Sequence, residues 1–302
     1  MRPFLVLIGL IAVCTVSLQA QVIQKSNVYL FDLKMIADTA IQFSKPRYIT
    51  AFNSEGYNNH PAFFGTNELY LSVQMPSERQ PDLYAFDLEK KTKTRVTQTA
   101  EGEFSPMLMP NGFSFSAVRQ EFSPKDTTQR LWEFPMDRLS NGKPVFKYQN
   151  NIGYYFWINS QLIAAFLTTN PSTLAIGNVS NDQFTVFATD IGRCFRMLPN
   201  GNLVYVKKSR FENWKLMQKK VTGIGWEDSA PTEIAETIPG AEDFVILPDG
   251  SFLMAKGSRV FYLNPRGKNV HWREVANLQL YEINNITRLV ISPDMKLAVV
   301  GD

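Results

Sequence analysis

A turn sequence that recurs six times constrains the fold of this chain more than any other feature. The turns begin, at intervals of 41 to 49 residues, at Gly65, Asn111, Asn159, Asn200, Asp249 and Asp294. This period is typical of one blade of a β-propeller. The closest echoes are Met109-Pro110-Asn111-Gly112, Leu198-Pro199-Asn200-Gly201 and Leu247-Pro248-Asp249-Gly250. We therefore predict an all-β fold, a six-bladed β-propeller of four-stranded antiparallel blades.

Strand-like runs flank each turn. The run Val-Tyr-Leu-Phe-Asp-Leu at 28–33 returns as Leu-Tyr-Ala-Phe-Asp-Leu at 83–88. Its alternation puts every other side chain on one face, which predicts the third strand of a blade. The runs before and after each turn predict the innermost and second strands, since Asn-Gly and Asp-Gly suit tight hairpins. Longer connections between second and third strands are predicted at 75–82, 119–130 and 207–215.

The order of the motifs at the two ends predicts how the ring closes. A third-strand motif comes first, at 28–33, and a second strand comes last, at 296–299. Either pair of strands alone would leave unpaired edges, which favour aggregation. Residues 22–50 should therefore complete the blade that begins at 286–300, so that the N- and C-terminal strands share one blade.

Residues 1–20 have the layout of a secretory signal peptide. Arg2 is the charged region, an apolar stretch follows at 4–16, and Ala20 ends a plausible cleavage site. This stretch is short for a membrane span, and no later segment has the apolar length that a spanning helix needs. We predict a periplasmic or secreted protein in which residues 21–302 form a single propeller domain.

The two cysteines carry little chemistry. Val13 occupies the position before Cys14 where lipoprotein signals usually have a small residue, so a lipid anchor is not expected. Cleavage would leave Cys194 alone and unable to form an intramolecular disulfide. The fold must then rest on its core, for which 44% hydrophobic and 13% aromatic residues give ample material. We interpret Cys194 as a small buried hydrophobic residue.

The charge balance excludes some partners. Loss of Arg2 with the signal peptide lowers the formal net charge from +3 to +2. This excess is too small to indicate nucleic acid or an anionic membrane surface.

Motifs for catalysis, metals and cofactors are missing. There is no Gly-x-Ser-x-Gly pentapeptide, and His60 and His271 are the only imidazole bases. His271 lies in a predicted outer strand, where a packing role is expected. There is also no zinc-ligand spacing, calcium loop or phosphate-binding glycine loop. We assign no catalytic residue, metal site or cofactor.

Polar residues recur where the innermost strands begin, which is the mouth of the central channel in a propeller. The candidates for ligand binding at this rim are His60, Glu103, Tyr154, Arg193, Glu242 and Arg288. Their mixed charges favour a polar or anionic organic ligand over a metal cation. The alternative is a solvated rim whose charges pair with one another.

A second candidate surface is the connection at 207–215. It contains an aromatic and basic cluster, namely Lys207, Lys208, Arg210, Phe211 and Trp214. Such a cluster could stack on a sugar or bind an acidic partner. The alternative is a solvated loop with one aromatic side chain tucked against its neighbours.

The turn motifs resemble those of a known family. Leu-Pro-Asp-Gly at 247–250 and Ser-Pro-Asp at 292–294, each followed by an apolar strand, are similar to the WD-like repeat of the TolB-like propellers. This family includes the propeller halves of prolyl oligopeptidase-like peptidases. The resemblance covers nearly all of 22–302, although the turns at 64–67 and 158–161 depart from the pattern. It implies the architecture, and by analogy a partner-binding role in the cell envelope.

Two hypotheses about function follow. The first is a monomeric, non-catalytic propeller that binds a protein partner or a cell-envelope glycan through its loop face and channel mouth. The alternative is a lyase, lactonase or hydrolase whose polar residues converge at the channel mouth. Convergence of His60, Glu103, Arg193 and Glu242 around a shared pocket would favour the enzyme.

Overall fold

The structure is a computed structural model that describes residues 24–302, except for 38–39, 124–125, 212, 224 and 227–228. The predicted signal peptide, residues 1–20, lies outside the described residues. The described part of the chain is almost entirely β-structure, with two short 3-10 helices at Ala51–Asn53 and Leu278–Tyr281. Six antiparallel sheets form the blades of a ring, which confirms the six-bladed propeller.

Each blade begins with its innermost strand and continues outward. The strands of blade 1 are Tyr57–Phe64, Glu68–Gln74, Asp82–Asp87 and Thr92–Arg95. Those of blade 2 are Gly102–Leu108, Ser114–Phe122, Thr127–Pro135 and Lys143–Pro144. Those of blade 3 are Ile152–Trp157, Leu162–Leu167, Thr173–Asn178 and Gln183–Thr189.

The remaining blades follow the same order, and blades 4 and 6 carry one additional short strand each. The strands of blade 4 are Ile191–Met197, Asn202–Lys207, Lys215–Thr222, Gly225–Trp226 and Thr232–Glu236. Those of blade 5 are Phe244–Ile246, Phe252–Lys256, Arg259–Leu263 and Arg273–Asn277. Those of blade 6 are Arg288–Ile291, Lys296–Gly301, Asn27–Ala37, Ala40–Phe43 and Arg47–Tyr48.

The ring closes within blade 6, as the motif order predicts. Strand Asn27–Ala37 pairs antiparallel with Lys296–Gly301, from Asn27 opposite Gly301 to Asp32 opposite Lys296. The N- and C-terminal strands therefore share one sheet.

The recurrent Asn-Gly and Asp-Gly turns have a side-chain hydrogen bond at their first residue and a positive φ at the next. In blade 2 the Oδ1 atom of Asn111 accepts hydrogen bonds from the backbone N–H groups of Phe113 and Ser114. Gly112 then adopts a φ of 71°, which costs glycine nothing sterically. In blade 6 Met295 occupies the equivalent place with a φ of 66° and carries the strain of a left-handed side-chain-bearing residue.

The core consists of six apolar layers, one between each pair of neighbouring blades. Between blades 1 and 2, for example, the rings of Phe64 and Tyr70 stack and Phe115 of blade 2 packs against both. Alternating strand residues face the two neighbouring blades, so every blade is apolar on both faces. The innermost strands are thereby held rigidly around the channel.

Three details of the sequence-based strands were wrong. The predicted connection at 119–130 is largely a hairpin, because strands Ser114–Phe122 and Thr127–Pro135 pair along their whole length. Opposite charges pair across this hairpin, with Arg130 Nη1 3.7 Å from the carboxylate of Glu121. The run Pro-Val-Phe-Lys at 144–147 predicts the outer strand of blade 2, but that strand ends at Pro144, because Phe146 packs in the apolar layer between blades 2 and 3. His271 precedes the strand Arg273–Asn277 instead of lying in it.

Candidate functional site at the channel mouth

A cavity of 430 Å³ lies among the innermost strands of all six blades. At the end where these strands begin, each blade contributes one polar side chain to its lining. This ring, which we call the channel mouth, consists of His60, Ser105, Tyr154, Arg193, Asp243 and Arg288. Four of the six predicted rim residues therefore meet in a shared cavity, namely His60, Tyr154, Arg193 and Arg288. Glu103 and Glu242 do not line it.

Arg288 is the most heavily engaged residue of the channel mouth. Its Nε donates to Asn59 Oδ1 at 2.7 Å, and its Nη2 donates to the Tyr154 hydroxyl at 3.1 Å. The guanidinium carbon also lies 5.0 Å from the centre of the Tyr154 ring, within the range of a cation–π contact. Its carboxylate partner Asp243 is 3.9 Å from Nη1, so the ion pair is loose. Blades 1, 3 and 5 thus all hold this one cation of blade 6.

His60 and Ser105 form the second polar contact of the mouth. His60 Nδ1 lies 2.6 Å from Ser105 Oγ, and the imidazole stacks on Tyr154 with the ring centres 5.9 Å apart. Burial holds the pKa of His60 well below its usual range, and the positive charges of Arg288 and Arg193 push it further down. The imidazole is therefore neutral at physiological pH.

Arg193 connects the mouth to the neighbouring loops. Its Nη1 lies 3.5 Å from Glu242 and its Nη2 donates to the carbonyl of Thr287 at 3.0 Å. Its Nε is buried and has no hydrogen-bond partner among the described residues. Glu242 in turn bonds Lys208 Nζ at 2.6 Å, and both Glu242 and Arg193 border an adjoining cavity of 320 Å³. Glu242 thus sits beside the mouth and bridges it to the loop at 207–215.

Glu103 was wrongly placed at the rim. Its side chain is completely buried and turns toward blade 1, where Thr97 and Thr99 donate to its carboxylate and Arg119 Nε lies 3.0 Å away. Burial raises the pKa of Glu103 to about 7, although these donors oppose the shift. The innermost strand of blade 2 begins at Gly102, so Glu103 lies within the strand and not in the loop that leads to the channel, and its side chain is directed into the layer between blades.

The loop at 207–215 divides into a tucked and an exposed part. Lys208 Nζ lies 4.7 Å from the centre of the Trp214 ring, and Trp214 Nε1 donates to the carbonyl of Ser209. Trp214 is thus bonded within the loop, whereas Lys208 contacts both Trp214 and Glu242. Phe211 is 78% exposed, with the guanidinium of Arg210 5.8 Å from its ring. Lys207 Nζ donates to the carbonyl of Thr189, at the end of the outer strand of blade 3, and to the carboxylate of Asp190.

Sequence reasoning missed Ser105, although a signal existed. His60 and Ser105 occupy equivalent positions in neighbouring innermost strands, and each is followed by proline. Both adopt a φ of 53° at a β-bulge, which turns their side chains toward each other across the blade boundary. The shared residue-proline step marks this bulge in the sequence. Asp243 lines the cavity in place of its neighbour Glu242, whose carboxylate turns to Arg193 and Lys208.

Comparison with known proteins bears on the fold. No protein-family model matches the sequence, and no curated protein matches it. A solved structure of a TolB candidate from Agrobacterium tumefaciens is similar, with a TM-score of 0.63 and 12% identity over 92% of this chain and 98% of that one. The chain has the TolB-like propeller fold.

Other solved structures share this propeller fold at similarly low identity. An auxiliary nutrient binding protein from Bacteroides thetaiotaomicron has a TM-score of 0.57 and 11% identity, over 92% of this chain and 77% of that one. A candidate gluconolactonase has a TM-score of 0.56 and 10% identity, over 90% of this chain and 92% of that one. At such identities the likeness concerns the fold alone, and a fold of this kind hosts unrelated functions.

The described residues contain neither a metal-binding cluster nor a membrane-spanning helix. No group of three or more His, Cys, Asp or Glu side chains there is arranged to hold a metal ion. Among the same residues, no helix has the length and apolarity to cross a membrane. What the channel mouth offers chemically is a set of fixed hydrogen-bond donors, a neutral imidazole and an excess of guanidinium groups.

Proposed function

We propose that this chain is a secreted or periplasmic, non-catalytic binding protein whose channel mouth holds an organic anion. One observation carries the proposal: Arg193, Arg196 and Arg288 line the cavity, whereas Asp243 is the one carboxylate among its lining residues. With His60 neutral, the lining has a formal excess of two positive charges. A cleft with such an excess and low-dielectric walls attracts and concentrates anions.

The donor geometry supports the same ligand. Arg193 Nε is buried without a partner, and an unmet buried donor costs about 1 to 3 kcal/mol. A bound carboxylate or phosphate oxygen that reached it would remove that cost. Tyr154 fixes the Arg288 guanidinium through a hydrogen bond and a ring contact, so little side-chain entropy remains to be lost on binding.

The loop at 207–215 is proposed as a secondary contact for a larger partner that carries the anion, such as an acidic glycan. Lys208 and Glu242 join this loop to the mouth, and Phe211 offers an exposed ring. An aromatic ring beside a cation suits stacking on a sugar.

The test is a calorimetric screen of dicarboxylates, uronic acids and sugar phosphates, repeated with Arg288→Ala and Arg193→Ala. Loss of a charged hydrogen bond should weaken binding roughly tenfold to a hundredfold. Arg259→Ala is the matched control, because Arg259 pairs with Glu274 far from the channel, in the outer half of blade 5. Thermal melting of each variant separates loss of binding from loss of fold. If both channel variants bound the ligand as tightly as the unmodified protein does, the channel mouth would be ruled out as the binding site.

A hydrolase or lactonase is the second candidate, favoured by the 2.6 Å contact between His60 Nδ1 and Ser105 Oγ. A neutral imidazole within hydrogen-bonding distance of a serine is the pairing that activates a nucleophile. Against it, the depressed pKa of His60 makes the imidazole a weak base. A fluorophosphonate probe should label Ser105 if the enzyme hypothesis holds, and Ser105→Ala should abolish labelling. If the protein binds anions but Ser105 is not labelled, the enzyme hypothesis is rejected and the binding function is retained.

A further inference from the structure

The far half of the channel is apolar. Where the innermost strands end, each blade contributes one partly exposed apolar side chain to the cavity lining, namely Phe63, Met107, Phe156, Met197, Ile246 and Ile291. We call these six residues the apolar ring. They pack against five of the six interblade layers, all but the layer between blades 1 and 2. Each is packed on one side against a layer and exposed on the other. The apolar ring is therefore an extension of the core into the channel.

The apolar ring and the channel mouth are successive levels of one cavity. Arg288 and Ile291 stand three residues apart on the same strand, about 10 Å at roughly 3.3 Å per residue. Ser105 and Met107, like Tyr154 and Phe156, are two residues apart on theirs. A ligand that reaches from one level to the other must be polar at one end and apolar at the other.

One cation lies at the level of the apolar ring. Arg196 precedes Met197, and its Nη1 donates to the carbonyl of Phe195 at 2.8 Å. Its aliphatic stem can border an apolar ligand while the guanidinium stays bonded to the backbone. The charge of Arg196 adds to the positive potential of the channel. Its guanidinium group has no hydrogen-bond acceptor to offer to the hydroxyl groups of a ligand.

The energetics separate two kinds of anion. A compact polyhydroxy acid would place hydroxyl groups against the apolar ring, and each unpaired buried hydroxyl costs free energy. An alkyl or aromatic body would gain about 0.8 kcal/mol for each methylene group that it removes from water. The 430 Å³ cavity is within the range of pockets that hold small organic ligands.

We infer that the ligand is an amphiphilic organic anion, with its carboxylate or phosphate at Arg288 and Arg193 and its hydrocarbon body against the apolar ring. This inference rests on the proposed function and names its ligand class.

The experiment measures the affinity of straight-chain carboxylates from acetate to dodecanoate by calorimetry, below the concentrations at which they form micelles. Affinity should rise roughly fourfold per methylene group until the channel is filled, and then level off. Arg288→Ala should weaken the whole series by a similar factor. Met107→Gln, a substitution of similar size that adds polar atoms to the apolar ring, should flatten the dependence on chain length and spare acetate.

The outcomes distinguish the two proposals. If the carboxylates bind with an affinity that does not depend on chain length, the inference of an amphiphilic ligand is wrong, while the proposed anion site is retained. Failure of every carboxylate to bind, or equal binding of the matching alcohols, would overturn the anion site as well. A chain-length dependence that Met107→Gln leaves unchanged would place the hydrocarbon elsewhere and would also contradict the inference.

Discussion

His60 Nδ1 lies 2.6 Å from Ser105 Oγ, and the two residues share the same left-handed backbone conformation, with a φ of 53° at each. Such a conformation in a residue other than glycine costs about 1 to 3 kcal/mol and persists only where the surroundings enforce it. Here the ring of Tyr154 stacks on His60, and the Tyr155 hydroxyl donates to the carbonyl of Ser105 at 3.0 Å. Strain is therefore stored where the channel begins.

This strain can be measured by comparing two substitutions of one residue. Ser105→Ala removes the hydrogen bond and retains the unfavourable φ, so it should lower the free energy of unfolding by about 1 kcal/mol. Ser105→Gly removes the same bond but adopts a positive φ freely, so it should be more stable than the alanine variant by about 1 kcal/mol. Urea denaturation followed by tryptophan fluorescence measures both. An alanine variant as stable as the glycine variant would show that no strain is stored.

In the strand Asn27–Ala37, which closes the ring in blade 6, substitutions at buried positions should lower stability far more than substitutions at exposed ones. Leu30 is fully buried between blades 6 and 1, so Leu30→Ala should cost about 2 to 5 kcal/mol of stability. Ile36 lies on the same strand and is 60% exposed, so Ile36→Ala should change stability by less than about 0.5 kcal/mol. Thermal melting of the two variants checks the contrast. Similar small losses would mean that the closing strand contributes little to the ring.

Glu103 should give stability a dependence on pH. Its carboxyl titrates near 4.5 when unfolded and at a pKa of about 7 in the folded protein, so the folded state binds the proton more tightly. The stabilisation is fully present below about pH 4.5 and is lost as the pH rises toward 7. Relative to Glu103→Gln, the unmodified protein should lose up to about 3 kcal/mol across this range.

The measurement for Glu103 is urea denaturation at intervals from pH 4.5 to 8, with Glu274→Gln as a control on the outer strand of blade 5. Parallel stability curves for the protein and Glu103→Gln would disprove the raised pKa.

Cys194 should be inert in the folded protein. It is 3% exposed, its Sγ contacts the carbonyl of Phe244 at 3.3 Å, and burial raises the pKa of the thiol to about 11. Because the thiolate is the reactive form, iodoacetamide at pH 8 should leave Cys194 unmodified until urea unfolds the chain. Peptide mapping by mass spectrometry locates the label. Rapid native labelling would show that blades 4 and 5 separate locally.

The repeat predicted the architecture because turns and alternating strands are local, periodic features of the sequence. His60, Tyr154, Arg193 and Arg288 line one cavity because they stand at one step of that repeat, while their role in binding stays a prediction. Glu103 and Glu242 do not line the cavity, because the direction of a side chain depends on bulges and register, which are set by contacts between blades. The sequence does not predict the apolar ring, because its six residues have the same apolar types as the core, and only the structure shows that one side of each is exposed to the channel.

The shared blade imposes an order of events on folding. Strand Asn27–Ala37 pairs along one edge with Ala40–Phe43 and Arg47–Tyr48, which follow it closely in the chain. Its other edge pairs with Lys296–Gly301, so nearly the whole chain must be synthesised before this sheet is complete. Contacts between residues so distant in sequence are slow to form. Until that last strand arrives, one edge of Asn27–Ala37 has no strand to pair with, so a chain shortened at its C-terminus would present an open sheet edge.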